Sequence, residues 1–317
     1  MPTERPRRQR LLWMAVCLLL AATTITPARE KFAFHRPVPQ PGKQLLAFTM
    51  ECHGKHEIAT ARRDGSDMSR LTSNDVEDWY PRWSPDGKKL VFFRGKTVGG
   101  QGRYDIVQYD LPSGEETVLV STGSYEGDPV YTPDGGRIVF NSNRHGNHDL
   151  FIMSSDGMGV TRLTENQGSD HSAAVDPSGR WIVYVSQREG IYELHRMELD
   201  GGDDMKLPVG REENYKPDWS PDGKRLVFFG PAELPAPTSG RRNFDIFRFD
   251  LAKSKLTRLT YEPSFEGEAV WSGGRILFTS DRRGQSEIFA MKADGTKPKV
   301  LFDSEALEAL RKACSSW

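Results

Sequence analysis

Apolar and polar positions along this chain fall into short blocks, and outside the two ends no long stretch repeats at the helical period of 3.6. The blocks come in a fixed order, clearest from Lys216 to Phe229 (KPDWSPDGKRLVFF): an extended run closed by an aromatic, a Pro-Asp-Gly turn, then a run of β-branched and aromatic residues. Proline presets φ at the second turn position and glycine accepts the left-handed conformation, so the phrase predicts strand, tight turn, strand. It returns as YPRWSPDGKKLVFF (Tyr80 to Phe93), DPVYTPDGGRIVF (Asp128 to Phe140), SAAVDPSGRWIVY (Ser172 to Tyr184) and EAVWSGGRILF (Glu268 to Phe278). A degraded sixth copy, HRPVPQPGKQLLAF, runs from His35 to Phe48.

Aligned on the aromatic of the second strand (Phe48, Phe92, Phe140, Tyr184, Phe228, Phe278), the copies recur every 44 to 50 residues. Four short strands at that period are the signature of a β-propeller blade, and six copies predict six blades. After the second strand comes a polar loop, then an acid and an aliphatic residue opening a third strand: Glu57-Ile58, Asp105-Ile106, Asp149-Leu150, Glu193-Leu194, Asp245-Ile246 and Glu287-Ile288. An acid in every repeat points to a framework role, satisfying backbone N–H groups of a neighbouring loop. Asp64-Gly65, Asp156-Gly157, Asp200-Gly201 and Asp294-Gly295 then predict type I′ hairpins. The outer strands SRLT, TRLT and TRLT (from Ser69, Thr161 and Thr257) place a Leu between blades and an Arg expected at the solvated edge.

The phrases WSPDG, SDRRG, EIFAMKADG and TRLT resemble the PD40-type (WD40-like) repeats of TolB-like six-bladed propellers, found also in prolyl oligopeptidase and dipeptidyl peptidase propellers. The resemblance covers roughly Phe32 to Phe302, and is specific for fold and weak for function. It implies an all-β, six-bladed propeller of four-stranded blades. The sequence departs from TolB in having no room for an α/β domain ahead of the propeller, and from the peptidases in having none for a hydrolase domain behind it. The TolB likeness implies protein contacts in the bacterial envelope, with TolB's own partners not transferable.

The ends of the chain read differently. Arg5, Arg7, Arg8 and Arg10 precede an apolar core from Leu11 to Ala22, followed by Thr26-Pro27-Ala28, the pattern of a secretory signal peptide over 1–28. The apolar run is shorter than the ~20 residues of a spanning helix. The expectation is a periplasmic or secreted propeller over 32–303, without an integral span after signal cleavage. Residues 304–317 are expected to form a short C-terminal helical tail, capped by Ser304, with Leu307 and Leu310 on one face. Export leaves Cys52 and Cys314 in a compartment that permits disulfides, and a bond between them would tie the chain's ends together.

A net charge of -1 gives no sign of nucleic-acid binding. Candidate chemistry lies on the face that carries the loop after each second strand and the loop before each first strand. Five residues ahead of the residue closing each first strand stand Asp78, Glu126, Asp170, Asn214 and Glu266, expected as ligand-binding residues to face one another around the central channel mouth, with Glu77, Asp128, Glu213 and Glu268 adding to them. Carboxylates about 8 Å apart repel by on the order of 2 kcal/mol at an effective dielectric near 20. Arginines of the adjoining loops (Arg94, Arg103, Arg144, Arg188, Arg282, Arg283), a bound Ca²⁺ or Mg²⁺, or a basic segment of an envelope protein or peptide would offset this. His145, His148 and His171 form a candidate transition-metal cluster, and His195, inside a third strand, is expected to be structural. No GxSxG, HExxH or phosphate loop is present. The sequence is therefore read as a protein-binding or scaffold module, with a carbohydrate lyase or lactonase using a channel-mouth cation as the competing class. The Pro-rich insertion Gly230 to Asn243 is a candidate lid or recognition loop.

Overall fold

The computed structural model describes residues 33–308 except 53, 99–100, 233–242, 303–305 and 307, all within one compact unit spanning 31–317. The signal segment, most of the Pro-rich insertion, His53 and Cys314 lie outside the described residues. Twenty-four described strands form six four-stranded sheets, each built from four consecutive strands in simple up-and-down order. The blades occupy 33–70, 77–120, 126–162, 170–206, 215–258 and 266–300. Their first strands, Ala33–Pro39, Glu77–Trp83, Glu126–Tyr131, Asp170–Val175, Tyr215–Trp219 and Glu266–Ser272, touch one another in a closed cycle, the sixth meeting the first. They therefore line the central channel.

The repeat phrase explains the packing. In blade 2 the Ser84-Pro85-Asp86-Gly87 turn is closed by Gly87 N donating to Ser84 O (2.8 Å), with Gly87 at φ +68°, where glycine carries no Cβ penalty. The Trp that ends the first strand reaches the previous blade: Trp83 Nε1 donates to Val38 O (3.1 Å) and Trp219 Nε1 to Ala174 O (3.0 Å). The six aligned second-strand aromatics are all fully buried, each worth about 2 kcal/mol of apolar transfer.

Two local readings are corrected. At the Asp-Gly hairpins only the glycine has positive φ (+85° to +92°), whereas a type I′ turn requires both central residues there. Gly65 N donates to Arg62 O while Arg62 N donates to Ser66 O, so each turn is type I with a following left-handed glycine; Asp64 Oδ1 accepts from Ser66 N. The outer-strand arginines are not solvated edge devices. Arg70, Arg162 and Arg258 are three-quarters or more buried and pair with the third-strand acids Glu57, Asp149 and Asp245. The following threonines help: Thr72 Oγ1 and Thr260 Oγ1 donate to the same acids and accept from Ile58 N and Ile246 N. Glu57 also accepts from Asn74 N (3.2 Å), the framework role expected of it, whereas the partners of Asp149 and Asp245 are the side chains of Arg162, Arg258 and Thr260.

No blade borrows a strand from the other end of the chain, so among the described residues the ring closes through side chains. Phe34, Phe48 and Phe302 pack edge to face, in a cluster that also takes in Val270, Leu277 and Ile288 of blade 6. Arg63 Nη2 donates to Ser272 Oγ (2.5 Å) and Ser286 Oγ to Phe34 O (2.8 Å) across the seam. Cys52 is disulfide-bonded, to a partner outside the described residues. The expected tail helix is not an element of the described fold. Of 304–317 only Ala306 and Glu308 are described, each with helical backbone, and Ala306 packs on the seam cluster beside Gly65. No described helix is long and apolar enough to cross a membrane.

Candidate functional site

Every first strand carries a β-bulge at the same point, where the pairing register with the second strand slips. The bulged residue is left-handed in all six blades: Arg36 (φ 46°), Tyr80 (52°), Asp128 (49°), Ser172 (56°), Lys216 (47°) and Glu268 (53°). That conformation costs a non-glycine residue about 1–2 kcal/mol, and a bulge is the usual way to re-aim a side chain. Here the re-aimed side chains meet in the channel. Lys216 Nζ donates to Asp128 Oδ1 (2.5 Å) and lies 4.4 Å from the ring centre of Tyr80, in the opposite blade. Ser172 Oγ donates to Asp128 Oδ2 (3.3 Å), and Glu268 Oε2 accepts from Arg36 N (2.7 Å). Arg82 and Asp218, two residues further along blades 2 and 5, pair across the channel at 3.6 Å. Asp218 also accepts from Trp271 N (2.8 Å).

Charge balance holds the two bulge carboxylates, Asp128 and Glu268, ionised. Burial raises the Asp128 carboxyl, but Lys216 and Arg36 more than offset it and hold it well below the usual range. Glu268 behaves alike: burial pushes it up, His35 and the Arg36 N–H pull it down, and it settles at about 2. Burial pushes Arg82 down to about 10, helped by Arg36 and opposed by Asp218. Burial, with Glu268 and Asp128 nearby, raises the Tyr80 hydroxyl far above its ordinary value.

Above the plug lies an aromatic collar in two arcs that together pass through all six blades. One runs His35, His56, Trp79, Tyr80, Phe93, Tyr104, Tyr125, His148 through successive ring contacts. The other runs His171, Tyr192, Tyr215, Phe229, Phe265. Most of these rings are partly buried, and Phe93, Tyr104 and Phe229 are buried outright. Gly127 and Gly267 stand where blades 1, 2, 4 and 5 carry His35, Trp79, His171 and Tyr215. Tyr125 and Phe265 fold into the vacated space, leaving a Cβ at Gly127 only 2.2 Å from the Tyr125 ring.

The five residues expected at the mouth are all fully buried, and their side chains bond within their own blade or the loop entering it, with Asn214 reaching also to blade 4. Arg94 engages Asp78 through Nε (2.7 Å) and Nη2 (3.0 Å); Arg144 and Arg282 donate to Glu126 and Glu266 at 2.6 Å. Asp170 accepts from Asn166, and Asn214 Nδ2 donates to Tyr192 O (3.1 Å) and Arg211 O (3.0 Å). Arg94, in the second strand of blade 2, and the loop residues Arg144 and Arg282 thus supply positive charge beside Asp78, Glu126 and Glu266. The candidate histidines do not assemble either. His145 stacks on Phe151, His148 Nδ1 pairs with Asn141 Nδ2 (3.0 Å), and His171 Nδ1 with Ser172 Oγ (2.9 Å). His195 is buried and held by Asp204 (3.1 Å), the expected structural role.

Asp128 and Glu268 were legible as added acids near the channel mouth, but the plug as a set was not, because its members, Arg, Tyr, Asp, Ser, Lys and Glu, share a position and no chemistry. The available signal was a polar or charged side chain two residues after each of the five acid-or-amide positions, inside strands otherwise destined for burial.

Fold and site together define a six-bladed β-propeller whose channel is plugged by ion pairs and whose mouth is ringed by aromatics. The chain belongs to the family of the Tricorn protease N-terminal beta propeller domain, whose model matches residues 103–314, and its TolB-like character, read from the repeats, holds. An uncharacterized protein of Agrobacterium fabrum is 33% identical over 103 residues, covering 32% of this chain and 33% of its own length. The Tol-Pal system protein TolB of Anaeromyxobacter sp. strain K is 31% identical over 119 residues, 38% of this chain and 26% of the relative. The matched stretches therefore span a third or less of these curated relatives. Among solved structures, TolB from Acinetobacter baumannii superposes with a TM-score of 0.65 at 22% identity, covering 85% of this chain and 62% of that one, a likeness of fold.

Proposed function

We propose that the chain is an exported propeller that acts as a protein-binding module in the cell envelope, with the aromatic collar as its docking surface. The observation that carries this reading is the combination of a plugged channel and a ring of partly buried aromatics above it. A plugged channel passes nothing through, so the mouth works as a shallow seat. Aromatic faces are rigid and amphipathic, the side chains that dominate binding energy at protein contacts. Glu51 and Glu77, each about a third exposed at the rim, favour a partner segment that inserts a lysine or arginine among the rings. The signal-like first 28 residues and the likeness to TolB support export to the periplasm.

A photo-cross-linking residue at position 215, in the collar, tests this in living cells against one at exposed Val118 on an outer strand. The expected result is a discrete protein adduct from position 215, lost when Trp79→Ala is added, and none from position 118. Equal labelling from both positions, or none from 215, would overturn the reading.

A further inference from the structure

At one point the collar is more than a stacking surface. His35 on the first strand, Glu51 on the second and His56 on the third lie side by side in blade 1, and one ligating atom of each falls within 4.8 Å of the others. The two rings are 5.9 Å apart. His35 Nε2 is buried and has no hydrogen-bond partner among the described residues, an expense that an enclosed polar atom rarely bears without a purpose. His56 Nε2 faces Glu51 Oε2 at 3.9 Å.

The other nitrogen of each imidazole meets a second carboxylate. His35 Nδ1 lies 3.8 Å from Glu268 Oε1, and His56 Nδ1 lies 3.4 Å from Glu77 Oε1. These contacts are at ion-pair and not hydrogen-bond distance; a carboxylate that closes on Nδ1–H would leave Nε2 as the free lone pair, the arrangement that raises the basicity of metal-bound imidazole. Trp79 stacks on His56 at 3.8 Å and holds that ring in place.

We propose that His35, Glu51 and His56 form a site for one divalent transition ion of the zinc class, opening on the channel mouth. Two imidazoles and a carboxylate suit Zn²⁺ better than Ca²⁺ or Mg²⁺, which prefer all-oxygen shells. Tetrahedral zinc needs ligand atoms about 3.3 Å apart. Glu51, with a third of its side chain exposed, is the member free to close on the two rings. Three protein ligands leave the fourth position for water or for a donor brought to the mouth. The site does not rest on the binding-module reading.

The test uses the exported chain purified without a histidine tag, with Zn²⁺ as probe in competition with a chromophoric chelator. Bound metal is counted after dialysis, and Co²⁺ serves as a spectroscopic substitute. The expected result is one Zn²⁺ per chain, visible d–d bands with Co²⁺, and loss of at least tenfold in affinity for His56→Ala and for Glu51→Gln. Glu77→Gln, which touches no metal, is expected to weaken binding by about 10–100-fold. His145→Ala, an exposed loop histidine outside both the collar and the trio, leaves affinity unchanged. Fewer than one equivalent bound, or equal weakening by His145→Ala, would overturn the site. Should His56→Ala not fold, Glu51→Gln decides, since its side chain is partly exposed.

Discussion

Lys216 Nζ donates to Asp128 Oδ1 at 2.5 Å although 88 positions separate the two residues and blade 4 lies between their blades. The pair holds two non-adjacent first strands at a fixed distance, and with it the width of the channel. Lys216→Met would leave the Asp128 carboxylate buried with only part of its positive surroundings. The expected loss is about 3 kcal/mol, read by urea denaturation, and Asp128→Asn added to it should restore part of that loss, because it removes the stranded charge. A change under about 1 kcal/mol in Lys216→Met would show that water reaches Asp128.

Cys52 provides a second constraint, in a ring that no strand exchange closes. Its expected partner is Cys314, which would latch the tail to blade 1. Non-reducing mass spectrometry should find Cys52 and Cys314 in one linked peptide pair. Cys314→Ser should lower stability by about 2–4 kcal/mol, and reduction of the native protein by the same amount. A free thiol at Cys314 would dismiss the latch.

The collar depends on a glycine. A Cβ at position 127 would meet the Tyr125 ring at 2.2 Å, so Gly127→Ala has to swing that ring away from its contacts with Tyr104 and His148. Displacement of this kind costs about 1–3 kcal/mol. Hydrogen exchange should show the change confined to blades 2 and 3, and partner adducts at position 215 should persist while those from position 125 disappear.

Acid should loosen the plug through His171. Burial, with Lys216 close by, pushes its pKa down to about 4, against the pull of Asp128 and with His148 adding to the repulsion. The unfolded chain takes up this proton near pH 6.5 and the folded chain only near 4. Stability is therefore complete above about pH 6.5 and falls as pH drops through that window, by up to on the order of 3 kcal/mol from this group. His171→Gln should flatten that limb in denaturation measured from pH 7 to 4. An unchanged slope would mean that the imidazole is not desolvated.

The repeat phrase was legible because it encodes local physics. Trp83, the Ser84-Pro85-Asp86-Gly87 turn and Phe92 specify strand, turn and strand without reference to anything distant, and six copies leave few architectures open. The arginines beside Asp78, Glu126 and Glu266 were also legible, since Arg94 faces Asp78 on the paired strand and Arg144 and Arg282 follow two residues after Ser142 and Ser280, the partners of Glu126 and Glu266. Register, by contrast, hid the rest. The regular alternation of a strand does not reveal which residue a bulge will turn into the channel, so Arg36, Tyr80, Asp128, Ser172, Lys216 and Glu268 looked unrelated.

By itself, then, the sequence determined the blade, the number of blades and the acid in each framework position, because turn geometry and side-chain alternation act over a few residues. Tertiary structure decided which side chains meet. Lys216 finds Asp128, Arg82 finds Asp218, and His35 comes beside Glu51 and His56 only once six bulged strands converge on one axis and adjacent strands of one blade fall into register. Those contacts join residues that no local rule relates, and their energies depend on a burial that exists only in the closed ring.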